Sequence, residues 1–270
     1  MPATFDPGIC QEPFVTLCDE APDPSVFPSG SFRVEWGPIF HRGRLDGTAR
    51  ILRIGQDPGQ SEAIVRRILV GVAGHRVQGF LAKLGIDRSY VMLNAFLYSV
   101  YNQSSAKKHV DDAAILAYRN RWFSALTVSG SLEAVVAFGS LADAAWQEFA
   151  KSSEAAAAIP YRQVPHPTSP EAGGAAPERI TKATAAMLRK WNAALEALRQ
   201  AVRHPDAVRS FVPYGEAFQP SELVEIPAFD MPAGTPAWMR GTDGWAARTG
   251  TTTAEKRRTI TVQVPAGIVS

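Results

Sequence analysis

The sequence predicts an α/β fold, a three-layer α-β-α arrangement around a central four-stranded parallel sheet. Two observations carry that expectation. Four short runs, at 51–54, 90–93, 134–138 and 160–164, read as buried strands; the first three are mainly apolar and do not alternate with polar residues. Helix-length segments separate them, and strands that alternate with helices give a parallel sheet with right-handed crossovers and helices on both faces.

The elements follow in order. Residues 1–44 are rich in Pro, Gly and aromatics with little periodicity, and read as an irregular segment wrapped on the core through Phe27, Phe32, Trp36 and Phe40. After the strand at 51–54, residues 61–84 read as helix, with breaks placed near Gly71 and Gly74. The second strand, 90–93, leads through the polar stretch Asn102-Gln103-Ser104-Ser105 into a helix at 110–128 whose apolar side carries Leu116, Trp122, Phe123 and Leu126. The third strand, 134–138, turns at Gly139-Ser140 into a helix at 141–149, with Ser140 placed to cap it. A fourth strand at 160–164 precedes a long Ala- and Leu-rich helix at 180–202. Beyond Pro205, Pro, Gly and Thr rise, and Arg258-Thr259-Ile260-Thr261-Val262-Gln263-Val264 alternates as a half-exposed strand does. This tail is either a small β segment packed on the core, the favoured reading, or a partly ordered extension. The expected organisation is therefore an N-terminal extension (1–44), an α/β domain (45–204) and a C-terminal extension (205–270).

Bulk properties narrow the class. A chain of 270 residues with 46% hydrophobic residues can bury a full core. No apolar run approaches the roughly 20 residues that span a bilayer. The start, Met1-Pro2-Ala3-Thr4-Phe5-Asp6, lacks the basic and apolar regions of a secretory signal, so a cytoplasmic enzyme is expected, and a monomer is the expected state. The net charge of +2 falls short of a strongly basic nucleic-acid binder, although only one face of such a protein needs to be positive. Candidate phosphate contacts are Arg42/Arg44, Arg66/Arg67, Lys107/Lys108/His109, Arg179/Lys182 and Lys256/Arg257/Arg258, although most such clusters on any protein are solvated surface. Cys10 and Cys18 read as two reduced thiols rather than a disulfide, and with His41 isolated they make no zinc site. No metal and no cofactor are expected.

Three strand ends carry the chemistry. Gly55-Gln56-Asp57-Pro58-Gly59 follows the first strand, in a turn that Gly and Pro make easily and that has a carboxylate at its apex. Val91-Met92-Leu93-Asn94 ends in an amide, and Val164-Pro165-His166-Pro167-Thr168-Ser169-Pro170 ends in an imidazole held between prolines. Strands that end this way deliver polar groups to the carboxyl edge of a sheet, where open α/β folds keep their ligands. Asp57 alone would equally well cap the helix that begins near Ser61, and Asn94 alone could simply satisfy a strand end.

Taken together and in this order, the Gly-Gln-Asp-Pro, Leu-Asn and His-Pro-x-x-Pro motifs resemble the uracil-DNA glycosylase superfamily. The stretch Arg67–Gly74 followed by Phe80–Ile86 looks like the corresponding helix start of its bacterial branches. The likeness covers roughly residues 45–200. The resemblance implies a monofunctional hydrolase that flips uracil out of DNA and cleaves its glycosidic bond. Asp57 would orient the attacking water and stabilise the sugar cation, and His166 would donate to uracil O2 and stabilise the base anion. Asn94 would read the N3–H and O4 edge, for which its C=O and NH2 are matched. Gly55, Gln56 (through its backbone), Pro58, Gly59 and Leu69 would line the base pocket, and Ser61, Pro167, Thr168, Ser169 and Arg179 would meet the DNA. Two cysteines are too few for the four-cysteine iron–sulfur cluster of some relatives.

Departures from the pattern matter. Gly59 stands where some members place a Tyr against the thymine methyl, Leu69 stands where a stacking Phe is found, and Thr168 is an extra residue in the His-Pro-Ser motif. Phe80, Phe96 and Tyr98 are candidate replacements for the stacking wall, and the loop at Glu171-Ala172-Gly173 has no evident wedge residue. Alternatives are a uracil-DNA trapping protein without turnover, and a glycosylase for another deaminated base. A nucleotide phosphate loop is a weaker reading, because no Gly-Lys-Ser/Thr follows the turn.

Overall fold

The computed structural model describes residues 6, 8–128, 130–241 and 243–268. The reading of Met1–Phe5 as no secretory signal, and the side chain of Arg257, lie outside what is described. In chain order the regular elements are α1 (Phe14–Asp19), β1 (Arg42–Gly43), β2 (Ile51–Gly55), α2 (Gln60–Val65), α3 (Val72–Lys83), β3 (Tyr90–Asn94), α4 (Gln103–Lys107), α5 (Ala113–Val128), β4 (Ala134–Phe138), α6 (Ser140–Lys151), α7 (Glu154–Ala157), β5 (Tyr161–Val164), α8 (Pro177–Ala201), α9 (Trp238–Gly241), β6 (Ala246–Arg248), α10 (Thr253–Arg258) and β7 (Ile260–Val262).

The chain is mixed α/β, with a central sheet in the order β1-β3-β2-β4-β5. The four expected strands are present and parallel, and the sheet gains a fifth, antiparallel edge strand, because Arg42 and Gly43 pair with Met92 and Val91. Two residues carry no readable periodicity, so this edge lay hidden inside the irregular N-terminal segment. β2 connects to β3 on one side and β4 to β5 on the other. The sheet therefore reverses its winding between β2 and β4, the place where open α/β sheets form a crevice.

Both faces of the sheet are covered. Leu52, Ile54, Val91, Leu93, Val135 and Ala137 pack with α5, α6 and the N-terminal aromatics Phe14, Phe27 and Phe32. Ile51, Met92, Val136 and Phe138 pack with α3 and α8 on the other face. Trp36 and Phe40, expected as anchors, are only half-buried, while Phe14 takes the deeper place against Trp122 at 5.5 Å.

Several boundaries shift for identifiable reasons. The helix expected at 61–84 is two helices, because Arg66 and Leu69 adopt left-handed backbone (φ 63° and 58°) ahead of Gly71. Gly74 lies within α3 rather than at a break. A Cβ there would come within 2.0 Å of the Leu69 carbonyl, so the glycine lets the irregular segment fold back onto the helix. α5 starts at Ala113 rather than 110, and Ile115 and Tyr118 occupy the buried stripe where Leu116 is half-exposed. Ser140 makes no cap; it is the first residue of α6, and Gly139 precedes it at φ 95°.

The C-terminal tail is built into the body. β6 and β7 pair antiparallel, and Trp245, Ala246, Ile226 and Met231 pack on Val65 and Val70 beside α2. Asp230 lies 1% exposed against Arg42 of β1, with Nη1 to Oδ2 at 3.5 Å, and also accepts from the Tyr90 hydroxyl. Among the described residues no helix is long and apolar enough to cross a membrane.

Candidate functional site

Parallel register brings the three chemical groups to one edge. Gly55 pairs with Asn94 across β2 and β3, so the turn that holds Asp57 and the Asn94 amide leave the sheet side by side. Val164 pairs with Phe138, which puts the His166 loop on the far side of the same crevice. A cleft of about 510 Å³ opens there, lined by Asp57, Asn94, His166, Leu69, Glu62 and the C-terminal Ala246 among others. A more open groove of about 680 Å³ shares Gln56, His166 and Ser169 with it and is edged by Arg162 and Lys190. The cleft, which holds all three strand-end groups, is taken as the site.

Asp57 does not cap α2. Its Oδ2 accepts the Val100 N–H at 3.0 Å and its Oδ1 accepts from Gln103 Nε2 at 2.9 Å, so β3's exit loop and α4 hold the carboxylate. The cap position falls to Gly59, whose N–H donates to Glu62 Oε2 at 3.0 Å. Enclosure by protein pushes the Asp57 carboxyl up to about 6 against these two hydrogen bonds, and its opening onto the cleft lets water temper the shift. Glu62 is buried beside it and is pushed up by burial to about 7. Two carboxyls with raised pKa values in one cleft are the arrangement expected of proton-handling groups.

His166 is the complementary case. Burial holds its imidazole down near 3, with Arg53 and Arg76 adding to the effect, so the ring is neutral. Nδ1 accepts the Thr168 N–H at 3.3 Å and lies 3.1 Å from the Thr168 hydroxyl, which leaves the proton on Nε2 as a donor. The extra Thr168 thus sets the tautomer. The loop itself is pinned by Arg76, whose Nη1 donates to the Pro167 carbonyl at 2.6 Å and whose Nη2 donates to Glu171 at 2.7 Å. Trp191 Nε1 adds a bond to the Pro165 carbonyl at 3.1 Å.

Asn94 is half-buried at the cleft, and among the described residues its side chain makes no hydrogen bond. A strand-end amide with a purely structural role would be bonded, so both its donor and its acceptor remain open to a ligand. Gln56 departs from expectation. Its carbonyl is spent on the Phe96 N–H and its side-chain Oε1 accepts the Leu141 N–H at 3.3 Å, so both tie the turn to the scaffold.

Gly55 and Pro58 are buried, and Gly59, Ser61 and Thr168 are half-buried at the cleft wall. Pro167 is buried and spends its carbonyl on Arg76, whereas Ser169 is exposed where cleft and groove meet. Arg179 is not brought to the site; it is exposed on the first turn of α8 and lines neither cavity. Arg42 is likewise no phosphate contact, being 0% exposed and ion-paired.

The stacking candidates fail. Phe80 sits between Phe138 and Trp191, Phe96 against Phe32, and Tyr98 against Phe27, all in the core. No aromatic lines the cleft among the described residues. The apolar wall is Leu69 with Ile68 and Val70, and Leu69 holds the left-handed backbone that costs a non-glycine residue on the order of 1–3 kcal/mol.

Sequence reasoning missed Glu62, Gln103, Arg76 and Arg53. Only Arg53 carried a local signal, a charge in the middle of the run read as a buried strand. No group of three or more His, Cys, Asp or Glu among the described residues is placed to hold a metal ion, and Cys10 and Cys18 are both free. No protein-family model matches the sequence, and no curated protein matches it.

Proposed function

We propose that the chain is a monofunctional uracil-DNA glycosylase, a hydrolase that removes uracil from DNA and leaves an abasic site. The observation that carries this reading is the convergence of an ionisable carboxylate (Asp57), an unpaired amide (Asn94) and a neutral imidazole donor (His166) on one cleft. An extruded uracil needs those three groups. Asn94 accepts from N3–H and donates to O4, a pattern that cytosine inverts. His166 Nε2–H donates to O2, where charge develops as the base leaves. Asp57, held by Val100 and Gln103, orients water and takes its proton.

Arg162 and Lys190 along the adjoining groove, with Ser169 between groove and cleft, supply a cationic edge for the phosphate backbone. The reaction is hydrolytic and needs no cofactor or metal, and the protein acts as a monomer in the cytoplasm on nucleoid DNA. A broader base range is favoured by one observation, the aliphatic wall at Ile68, Leu69 and Val70, which offers no aromatic ring to select the base. The test is a uracil-containing duplex incubated with the purified protein and then treated with alkali. Strand cleavage at the uracil position is expected, and an intact strand with retained binding would convert the reading to a trapping protein.

A further inference from the structure

An arginine is out of place at the centre of a buried parallel strand. Arg53 sits between Leu52 and Ile54, its register partners are Met92 and Val136, and it is 0% exposed. None of its three guanidinium nitrogens has a hydrogen-bond partner, and its Cζ lies 4.8 Å from the Phe138 ring centroid. Yet it lies at the cleft floor. A Cβ built on Gly55 would be 2.1 Å from Arg53 Nη1 and 2.1 Å from Asn94 Oδ1, so guanidinium and amide crowd the same point and only glycine fits above them. The charged groups around it are Glu62, which favours its charge, Arg42, which opposes it, and His166, which it keeps neutral.

An aliphatic side chain would fill this position without burying an unpaired charge. We propose that Arg53 is kept unpaired beneath the base-reading amide as the counter-charge for the base anion formed when the glycosidic bond breaks. This rests on the glycosylase reading above. In that step the C1′–N1 bond breaks and its electron pair stays on N1. The negative charge spreads to O2 and, through the ring, to O4. Water adds to C1′ and its proton passes to the Asp57 carboxylate. His166 answers the charge at O2, and Asn94 with Arg53 behind it answers the charge at O4. Neutral bound uracil gains little from a buried cation, whereas the anion gains much, so the interaction strengthens towards the transition state.

The experiment compares single-turnover release of uracil and of 5-fluorouracil, whose anion is intrinsically more stable, by wild-type protein, Arg53→Met and Arg53→Lys. Arg53→Met should slow uracil release about 10²-fold and 5-fluorouracil release less than about tenfold, while Arg53→Lys stays within about tenfold of wild type on both. Equal slowing of the two bases by Arg53→Met would reduce Arg53 to a scaffold residue, and unchanged rates would overturn the proposal. Should Arg53→Met not fold, wild-type protein decides. Free uracil bound to it should show the anion's ultraviolet absorbance at a pH where uracil in buffer is neutral, and ionisation at the same pH bound and free overturns the idea. Wild-type protein that releases no uracil from DNA sinks the glycosylase reading itself, whereas release that is indifferent to Arg53 sinks only this inference.

Discussion

Two arginines are buried to the same degree in this sheet, and their surroundings could hardly differ more. Arg42, on the β1 edge, has Asp230 at 3.5 Å and donates to Gln78 Oε1 at 3.2 Å, in a corner closed by the C-terminal segment and the Tyr90 hydroxyl. Arg53, on the central strand β2, has no hydrogen bond from its side chain. The difference extends to their neighbourhoods. Around Arg42 an ion pair and two hydrogen bonds join the polar groups, and Arg42 Nε and Nη1 and Asp230 Oδ1 are left without a hydrogen bond. Around Arg53, under the cleft, Asn94 is unbonded, Leu69 is strained, and the Asp57 and Glu62 carboxyls are pushed up by burial. One region uses its buried charge to attach the C-terminal segment to the sheet. The other withholds satisfaction where a ligand would supply it.

The contrast predicts that substitutions at the edge cost stability, and that substitutions under the cleft cost rate. The largest effect should be Arg42→Met, which strands Asp230 as an uncompensated buried carboxyl. Urea denaturation is expected to show a loss of about 3–5 kcal/mol, with cleavage per folded molecule unchanged. A loss below about 1 kcal/mol would put Arg42 in the same category as Arg53.

Asp57→Asn comes next, with a fall in single-turnover cleavage of about 10² or more, near 3 kcal/mol of barrier, and DNA binding largely kept. Wild-type cleavage should decline about tenfold per pH unit below about 6, because the raised carboxyl must be ionised to take the water's proton, and it should be flat from about 7 upward. His166, neutral above about 3, adds no limb in that range. A profile of unchanged shape in Asp57→Asn would move the acid limb to another group, with Glu62 the first suspect.

Asn94→Asp makes the acceptor permanent and removes the donor to O4. Uracil cleavage should weaken by about 1–3 kcal/mol, read as relative rates on uracil-, thymine- and hypoxanthine-containing duplexes. Uracil should lead in the wild type, with a narrower margin over thymine than a Tyr at position 59 would give. Equal rates on all three would mean that neither the amide nor the cleft selects the base.

The smallest effect sharpens the comparison most. Arg53→Met should leave thermal stability within about 1 kcal/mol of wild type, since the removed charge has no partner to strand except a loosened Glu62. A drop as large as that of Arg42→Met would show that Arg53 is paired in solution.

The sequence by itself determined the four parallel strands, the alternation with helices and the three chemical groups at strand ends. Those signals are local: uninterrupted apolar runs, Gly-Pro turns and the residue that leaves each strand are properties of a few consecutive positions. It also singled out Asp57, Asn94 and His166 together, because each directly follows or ends a strand, and parallel strands leave the sheet at one edge. Tertiary structure alone decided the antiparallel β1 edge, whose two residues are too few for a pattern, and the fate of Phe80, Phe96 and Tyr98, which reach the core because neighbouring rings complete their packing. It also decided how each polar group is satisfied. Whether Asp57 caps a helix or faces a cleft depends on Val100 and Gln103, which lie 43 and 46 residues away. Whether a buried arginine is paired depends on Asp230 reaching Arg42 and nothing comparable reaching Arg53. Hydrogen-bond partners and buried charges are fixed by what the fold brings within about 3 Å, and that proximity is written in no local stretch of the chain.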